Sequence, residues 1–197
     1  MNLYTCERQQ AVKSLSLVLQ IVKKSKVDIY YWRWVIISLQ SAVQEFMVLW
    51  TQTFDEALIY NDNSREIYQK ARNENQALPD KLQMLGFKPL YEQTKNSFKE
   101  KHKFEIGEKL NLSITKLGEL RNEFTPFKPQ GFGLSVYGLP MMCIQCLDFV
   151  ELLGWKKTNA FQGSFEFKDE AERYVYFIRK EIAGLGLAYQ NIKSAMD

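Results

Sequence analysis

Residues 28 to 53 read DIYYWRWVIISLQSAVQEFMVLWTQT, and they decide the fold. On a helix their apolar side chains cover most of the circumference, because successive residues are rotated by about 100°. Arg33, Gln40 and Gln44 project onto one narrow polar stripe. A helix that is apolar on nearly every side is surrounded by other helices. The stretch therefore predicts the central helix of a bundle.

The two glutamines of this stripe need hydrogen-bond partners if the helix is buried. Gln40 and Gln44 are four positions apart, so they present their amides on the same face. Either this face reaches solvent through a gap in the bundle, or the amides hydrogen-bond Arg121 of another predicted helix. At the level of sequence both alternatives stay open.

The rest of the chain also follows helical patterns. Further helices are predicted over residues 7 to 24, 65 to 76, 104 to 124, 139 to 153 and 168 to 195, with two short ones near 79 to 86 and 89 to 97. Partial alternation predicts a very short β-hairpin that pairs residues 134 to 136 with residues 165 to 167. Because no repeat, low-complexity segment or linker is apparent, the sequence predicts a single all-α domain over residues 1–197, with about five to seven helices.

Arg121 falls where the pattern of its helix expects a core residue. Apolar residues recur there at spacings of three and four, at Ile106, Leu110, Ile114, Leu117 and Phe124. A guanidinium taken out of water without a partner is costly, so Arg121 is expected to meet a carboxylate, helix-end carbonyls, a partner subunit or a ligand anion. The residue is thus either a structural arginine or part of a functional site.

The same region resembles the Arg-Asn-x-x-x-His motif of HEPN-type helical domains, a group that includes ribonuclease toxins, defence nucleases and nucleotide-binding modules. The stretches that carry the resemblance are YYWRW at 30 to 34, SLQSAVQ at 38 to 44, LRNEF at 120 to 124, FKPQGF at 127 to 132 and GLP at 138 to 140. They look like an uncharacterised bacterial family of HEPN-like proteins and cover about residues 27 to 153. The resemblance implies a HEPN-like bundle, commonly a homodimer.

The chain departs from that motif at its last position, where Pro126 replaces histidine, and its single histidine is His102. In HEPN nucleases the arginine stabilises the phosphorane and the histidine assists proton transfer, which proline cannot do. The resemblance also implies that the position of Gln40 can carry histidine. It therefore favours a catalytically degenerate module that binds RNA, a nucleotide or a cognate protein in a toxin-antitoxin or defence context.

Two alternatives to this interpretation stay open. One is an active, metal-independent ribonuclease that uses Arg121 and Asn122, with Thr125 as a polar stand-in for the histidine. The other is a ligand-free structural or regulatory helical protein. For any binding role the candidate residues are Arg121, Asn122, Glu123, Thr125, Lys128, Gln40 and Gln44.

The cysteines do not indicate a metal or redox centre. Cys143 and Cys146 have a Cys-x-x-Cys spacing, but they lie in an apolar helical pattern, and only Cys6 and His102 remain as further ligands. Packing is the favoured interpretation, with redox or metal chemistry as the alternative. We expect no metal and no cofactor.

Charge and hydropathy give weaker indications. The net charge of +3 is mildly basic, and the lysines at 23 to 26 and 95 to 103 could be either solvated surface or phosphate contacts. No apolar stretch approaches the roughly 20 residues of a membrane helix, and residues 1 to 10 show no secretory signal. We therefore expect a cytoplasmic protein without membrane partners.

Overall fold

The computed structural model describes residues 5–125, 133–157, 160–161 and 163–195. Within these ranges the chain forms seven α-helices and no β-strand. They are α1 (Glu7–Ser25), α2 (Trp32–Gln52), α3 (Asp62–Asn73), α4 (Phe87–His102), α5 (Glu108–Phe124), α6 (Leu139–Glu151) and α7 (Phe165–Ser194). Short 3-10 helices occupy Ile29–Tyr31 and Glu56–Ile59, and a π-helical turn, Leu152–Lys156, continues α6. The prediction of an all-α bundle of five to seven helices is confirmed.

Helix α2 lies at the centre, as its sequence predicts. It packs against α1, α4, α5 and α6, and α7 closes the bundle by packing against α1 and α6. Large side chains along the whole of α2, among them Trp32, Phe46 and Trp50, are buried in one continuous apolar core. The helix is therefore a fixed support for any side chain that it presents at a gap between its neighbours.

Side-chain and backbone hydrogen bonds fix the end of α5 and join it to the start of α2. Helix α5 ends where the Thr125 N–H and Oγ1 both donate to the carbonyl oxygen of Arg121, at 3.0 and 2.8 Å. The carbonyl of Phe124 accepts from Nη2 of Arg33 on α2 at 3.0 Å. Arg33 thus fills the role of binding a helix-end carbonyl, which the sequence left open for Arg121. This bond joins the end of α5 to the start of α2.

Two sequence predictions about local structure are wrong. Residues 165 to 167 form the first turn of α7, and residues 134 to 136 are not a strand, so the described residues contain no hairpin. The apolar residues of α7 recur at helical spacing. The carboxylate of Glu166 lies in the first turn, where it interacts favourably with the positive end of the helix dipole. Residues 165 to 167 therefore follow the long helical pattern of α7 and not the brief alternation that predicted a strand.

Residues 79 to 86 are not helical either. Their backbone pairs instead with the segment before α3. The Leu85 N–H donates to the carbonyl oxygen of Ile59 at 2.8 Å, and the Asn61 N–H donates to the carbonyl oxygen of Gln83 at 3.0 Å. One isolated antiparallel bridge joins Tyr60 and Met84. The segment enters α4 from this paired, extended conformation, which fixes where α4 begins.

Candidate functional site

A cleft of about 530 Å³ opens between α2, α5 and the first turns of α4. Its walls combine basic, amide, acidic and aromatic side chains. The residues that line it are Gln40, Gln44, Gly86, Phe87, Lys88, Pro89, Tyr91, Glu92, Ile114, Thr115, Gly118, Glu119, Arg121 and Asn122. Its size is within the roughly 300–1,000 Å³ of small-molecule sites. This cleft contains most of the site residues that the sequence predicts.

Arg121 lies at the mouth of the cleft and is exposed, so the expectation of a core arginine is wrong. The helical pattern predicts the direction of the Arg121 side chain correctly, because Leu117 and Leu120 of the same helix are buried. At Arg121, however, the face of α5 meets open space instead of a packed helix. The guanidinium donates through Nη1 to Asn122 Oδ1 at 3.3 Å, and it remains accessible to a ligand.

Gln40 and Gln44 form the part of the cleft that belongs to α2. Gln40 is only 5% exposed, and its Nε2 donates to Gln44 Oε1 at 3.0 Å. In the described part of the chain no hydrogen bond joins either amide to Arg121, although all three side chains line the cleft. Of the two alternatives for the amide stripe, the structure therefore favours a face that reaches a gap in the bundle.

The first turn of α4 provides a wall that the sequence did not assign to the site. Its N-cap is Gly86, which offers no capping side chain, and Pro89 has no N–H, so the helix begins with uncapped backbone donors at Phe87 and Lys88. The positive end of the helix dipole thus lies at the cleft wall. Helix patterns in the sequence indicated a helix start at Pro89, but only the tertiary packing shows what that start faces.

Gly118 allows α4 and α5 to approach each other at the cleft. A Cβ placed on Gly118 would lie 2.9 Å from Cδ1 and 3.0 Å from Cε1 of Phe87. The Phe87 ring therefore occupies the space that any other side chain at 118 would need. Because Phe87 opens α4, this contact sets the distance between the start of α4 and Arg121 on α5.

The charges in the cleft favour an anionic ligand. Glu92 pairs with Lys95 at 2.6 Å, and Glu119 pairs with Lys116 at 3.4 Å. Both cleft carboxylates are thus compensated by lysines outside the cleft lining, whereas the exposed Lys88 side chain has no ion pair within the described structure. Lys88 and Arg121 consequently give this opening a positive potential.

Tyr91 is a neutral component of the wall. It is buried, and its hydroxyl donates to Asn111 Oδ1 at 3.1 Å. Burial is the main cause that raises the pKa of Tyr91, with Glu92 adding to the effect. The phenol therefore stays protonated near neutral pH, and it serves as a wall and a link to α5.

The other predicted site residues are placed as follows. Asn122 lines the cleft beside Arg121, whereas Glu123 and Thr125 are not among the described residues that line it. Thr125 instead bonds the carbonyl of Arg121 and closes the helix. Lys128, like Pro126, lies outside the described residues. The structure thus brings together Arg121, Asn122, Gln40 and Gln44, and it adds Lys88, Phe87 and Tyr91.

His102 lies at the opposite end of α4 from the cleft. It is 14 positions after Lys88, a separation of about 21 Å along a helix. Its ring centroid is 5.4 Å from that of Phe98 and 6.2 Å from that of Trp50. The single histidine of this chain therefore contacts aromatic side chains far from Arg121.

The Cys-x-x-Cys pair is part of the core. Cys143 and Cys146 are both fully buried free thiols. Burial raises the pKa of Cys143 to about 12, and it raises that of Cys146 as well. Thiols in this environment stay protonated and unreactive. The described residues also contain no group of three or more His, Cys, Asp or Glu side chains placed to hold a metal ion.

A second cavity, of about 310 Å³, adjoins the cleft at Gln44. It lies between α1 and α2 and is lined by Glu7, Gln10, Ser41, Gln44, Glu45, Val48 and Met84. Oε2 of Glu45 is buried without a hydrogen-bond partner among the described residues. Burial raises the pKa of Glu45, and a hydrogen bond with Ser14 offsets part of this rise.

Comparison with protein-family models, with curated proteins and with solved structures finds no match. Across the described ranges, every helix is too short or too polar to cross a membrane.

Proposed function

We propose that this chain is a HEPN-like helical module, without catalytic activity, that binds a phosphate-bearing nucleotide unit in the cleft between α2, α4 and α5. The unit is either a free nucleotide or part of an RNA strand. The observation that carries the proposal is that Arg121, Lys88 and the uncapped start of α4 all line one cleft. The HEPN resemblance adds a toxin-antitoxin or defence context.

Each of the three groups suits a phosphate. The planar guanidinium of Arg121 can donate two parallel hydrogen bonds to phosphate oxygens, and Lys88 adds a flexible point charge. Backbone N–H groups at a helix start bind anions with the help of the helix dipole. Because Glu92 and Glu119 already pair with lysines, an incoming phosphate meets little repulsion from them.

The position of His102 supports binding without cleavage. Transfer of a proton to or from a reacting group requires an acid or base within hydrogen-bond reach, and it contributes typically about 10²- to 10⁴-fold in rate. His102 lies at the far end of α4 against Phe98 and Trp50, and Tyr91 has a raised pKa. The proposal therefore assigns Arg121 to ligand binding.

Binding and cleavage of a labelled mixed-sequence RNA by the purified chain test the proposal. We expect binding without cleavage, weakened about tenfold or more in Arg121→Ala and several-fold in Lys88→Ala, since each removes a charge-assisted contact. Arg173→Ala and Lys180→Ala are matched controls on exposed positions of α7, outside the cleft. Both controls should bind RNA like the wild type.

Other outcomes would favour the alternatives. Cleavage that disappears in Arg121→Ala would establish an active ribonuclease and overturn the proposal. If neither binding nor cleavage occurs, the result would overturn the proposal and favour a ligand-free structural or regulatory role. Pro126→His adds a separate arm, because cleavage gained only in that variant would identify the group that the motif lacks.

A further inference from the structure

We infer that the cleft recognises a nucleobase as well as a phosphate, and that the Gln40–Gln44 pair reads the edge of that base. The inference rests on the proposed function and deepens it. It distinguishes a nucleotide from any other phosphate-bearing compound, because a base edge is recognised by hydrogen bonds of defined direction.

The hydrogen bond between the two amides determines what they offer to a ligand. Gln40 Nε2 donates to Gln44 Oε1 at 3.0 Å. Gln40 Oε1 and Gln44 Nε2 make no hydrogen bond to any other residue that the structure describes. If the two amides were both reversed, the pair would still leave one carbonyl oxygen and one amino group. In either arrangement the pair offers an acceptor and a donor side by side.

Nucleobases carry the complementary pattern. Adenine, for example, places an amino donor next to a ring-nitrogen acceptor, and glutamine amides bind this edge in pairs of hydrogen bonds. Gln40 is 5% exposed at the inner wall of the cleft, where water competes weakly for such bonds. A base with the wrong pattern would leave a buried amide group unsatisfied, which is the main source of discrimination in polar sites.

The shape of the cleft agrees with a ligand larger than phosphate. Its 530 Å³ extends from the basic groups Lys88 and Arg121 at the opening to the amides on α2. The half-buried ring of Phe87 lies in the wall between α4 and α5, above Gly118. Aromatic rings of this kind stack on unpaired bases in RNA-binding proteins. Phosphate, sugar and base would then each meet a surface suited to them.

Calorimetric titration of the full chain tests the inference with ribose 5-phosphate and with AMP, GMP, CMP and UMP. We expect at least one nucleotide to bind ten or more times tighter than ribose 5-phosphate. Gln40→Met and Gln44→Met keep the side-chain volume but remove the amide. In each variant the affinity for the preferred nucleotide should fall several-fold toward that for ribose 5-phosphate, which itself should change less than twofold.

The controls separate this inference from the proposed function. Gln69→Met, on an exposed position of α3, should leave every affinity unchanged. If Gln40→Met fails to fold, Gln44→Met at its half-buried position carries the test alone. Equal affinity for ribose 5-phosphate and all four nucleotides would overturn the inference and leave phosphate binding intact. Failure of all five ligands would also overturn it, and the RNA titration of Arg121→Ala then decides separately whether the proposed function falls.

Discussion

At the scale of single residues, Glu45 illustrates what the bundle imposes on a carboxylate. It follows Gln44 on α2, and its Oε2 is buried without a partner in the described part of the chain. Burial raises its pKa above the ordinary value of 4.5. The folded chain therefore holds this proton more tightly than the unfolded chain does, and ionisation of Glu45 opposes folding.

This sign gives a prediction for Glu45→Gln. The wild type loses stability as the pH rises from about 4.5 through the higher folded pKa of Glu45, whereas a glutamine at 45 does not. We expect the variant to be more stable at pH 7 by on the order of 1 kcal/mol, because a partly buried carboxylate with one unpaired oxygen is removed. The gain should vanish near pH 4. Urea unfolding at a series of pH values measures it.

Glu66→Gln provides the control, since Glu66 is exposed on α3. It should show no comparable gain at pH 7. A Glu45→Gln variant that is equally or less stable than the wild type at pH 7 would mean that the bond with Ser14 compensates the burial fully.

Residue patterns predicted part of the candidate site. The periodicity of α5 pointed Arg121 toward α2, and the polar stripe of α2 pointed Gln40 and Gln44 toward a gap, and these three side chains do line one cleft. The burial of Arg121 was predicted wrongly, because periodicity gives the direction of a side chain and not whether a neighbour fills the space there. Lys88 was missed for a similar reason: nothing local indicates that the start of α4 faces Arg121.

At the scale of whole elements, Arg179 connects α7 with α6. Its Nη2 donates to Asp148 Oδ1 at 2.6 Å and to Glu151 Oε2 at 2.8 Å. Glu151 also pairs with Lys156 in the π-helical turn at 2.7 Å. One guanidinium thus bonds two carboxylates of α6, and the Arg179 side chain is only 26% exposed.

We therefore expect Arg179→Met to lower the free energy of unfolding by about 1–2 kcal/mol. Removal of the guanidinium leaves the carboxylates of Asp148 and Glu151 close together, with Lys156 paired to Glu151 only, and like charges at such a distance repel. The value lies above that of a typical exposed ion pair, because one arginine bridges two acids at partial burial. Thermal and urea unfolding measure the loss.

Arg173→Met, an exposed position six residues earlier on α7, is the matched control. A loss of stability that is equal in the two variants would show that the bridge between α6 and α7 contributes nothing specific. Arg179→Lys should be intermediate, since it retains the charge without the planar group that reaches both acids.

The elements whose extent the sequence predicted best are those with long periodic patterns. Helices α1, α2, α5, α6 and α7 extend over many turns, so their apolar faces are well defined. Of the shorter predictions, the helices at 65 to 76 and 89 to 97 overlap α3 and α4. Two others failed: residues 165 to 167 were assigned to a strand on a brief alternation, and residues 79 to 86 to a helix on one proline and one glycine. Their actual structure depends on the continuation of α7 and on backbone pairing with Ile59 and Asn61.

At the scale of the whole molecule, the bundle separates two basic regions. One is the cleft at the start of α4, with Lys88 and Arg121. The other lies about 20 Å away at the end of α4, where Lys99 pairs with Glu105 at 2.7 Å and Lys101 lies 3.8 Å from the centroid of the Phe54 ring. These lysines already contact a carboxylate and an aromatic ring, and the net charge of the chain is only +3.

The dependence of RNA binding on salt distinguishes the two regions. If Lys88 and Arg121 are the main phosphate contacts, counterion release from single-stranded RNA gives a slope of log K against log salt of about −1.4, at about −0.7 for each contact. Fluorescence anisotropy between about 50 and 200 mM salt measures this slope. In Arg121→Ala the slope should become shallower by about 0.7, because one contact is lost. A wild-type slope of about −4 or steeper would require several more cations, and the lysines at the end of α4 would then belong to the RNA-binding surface.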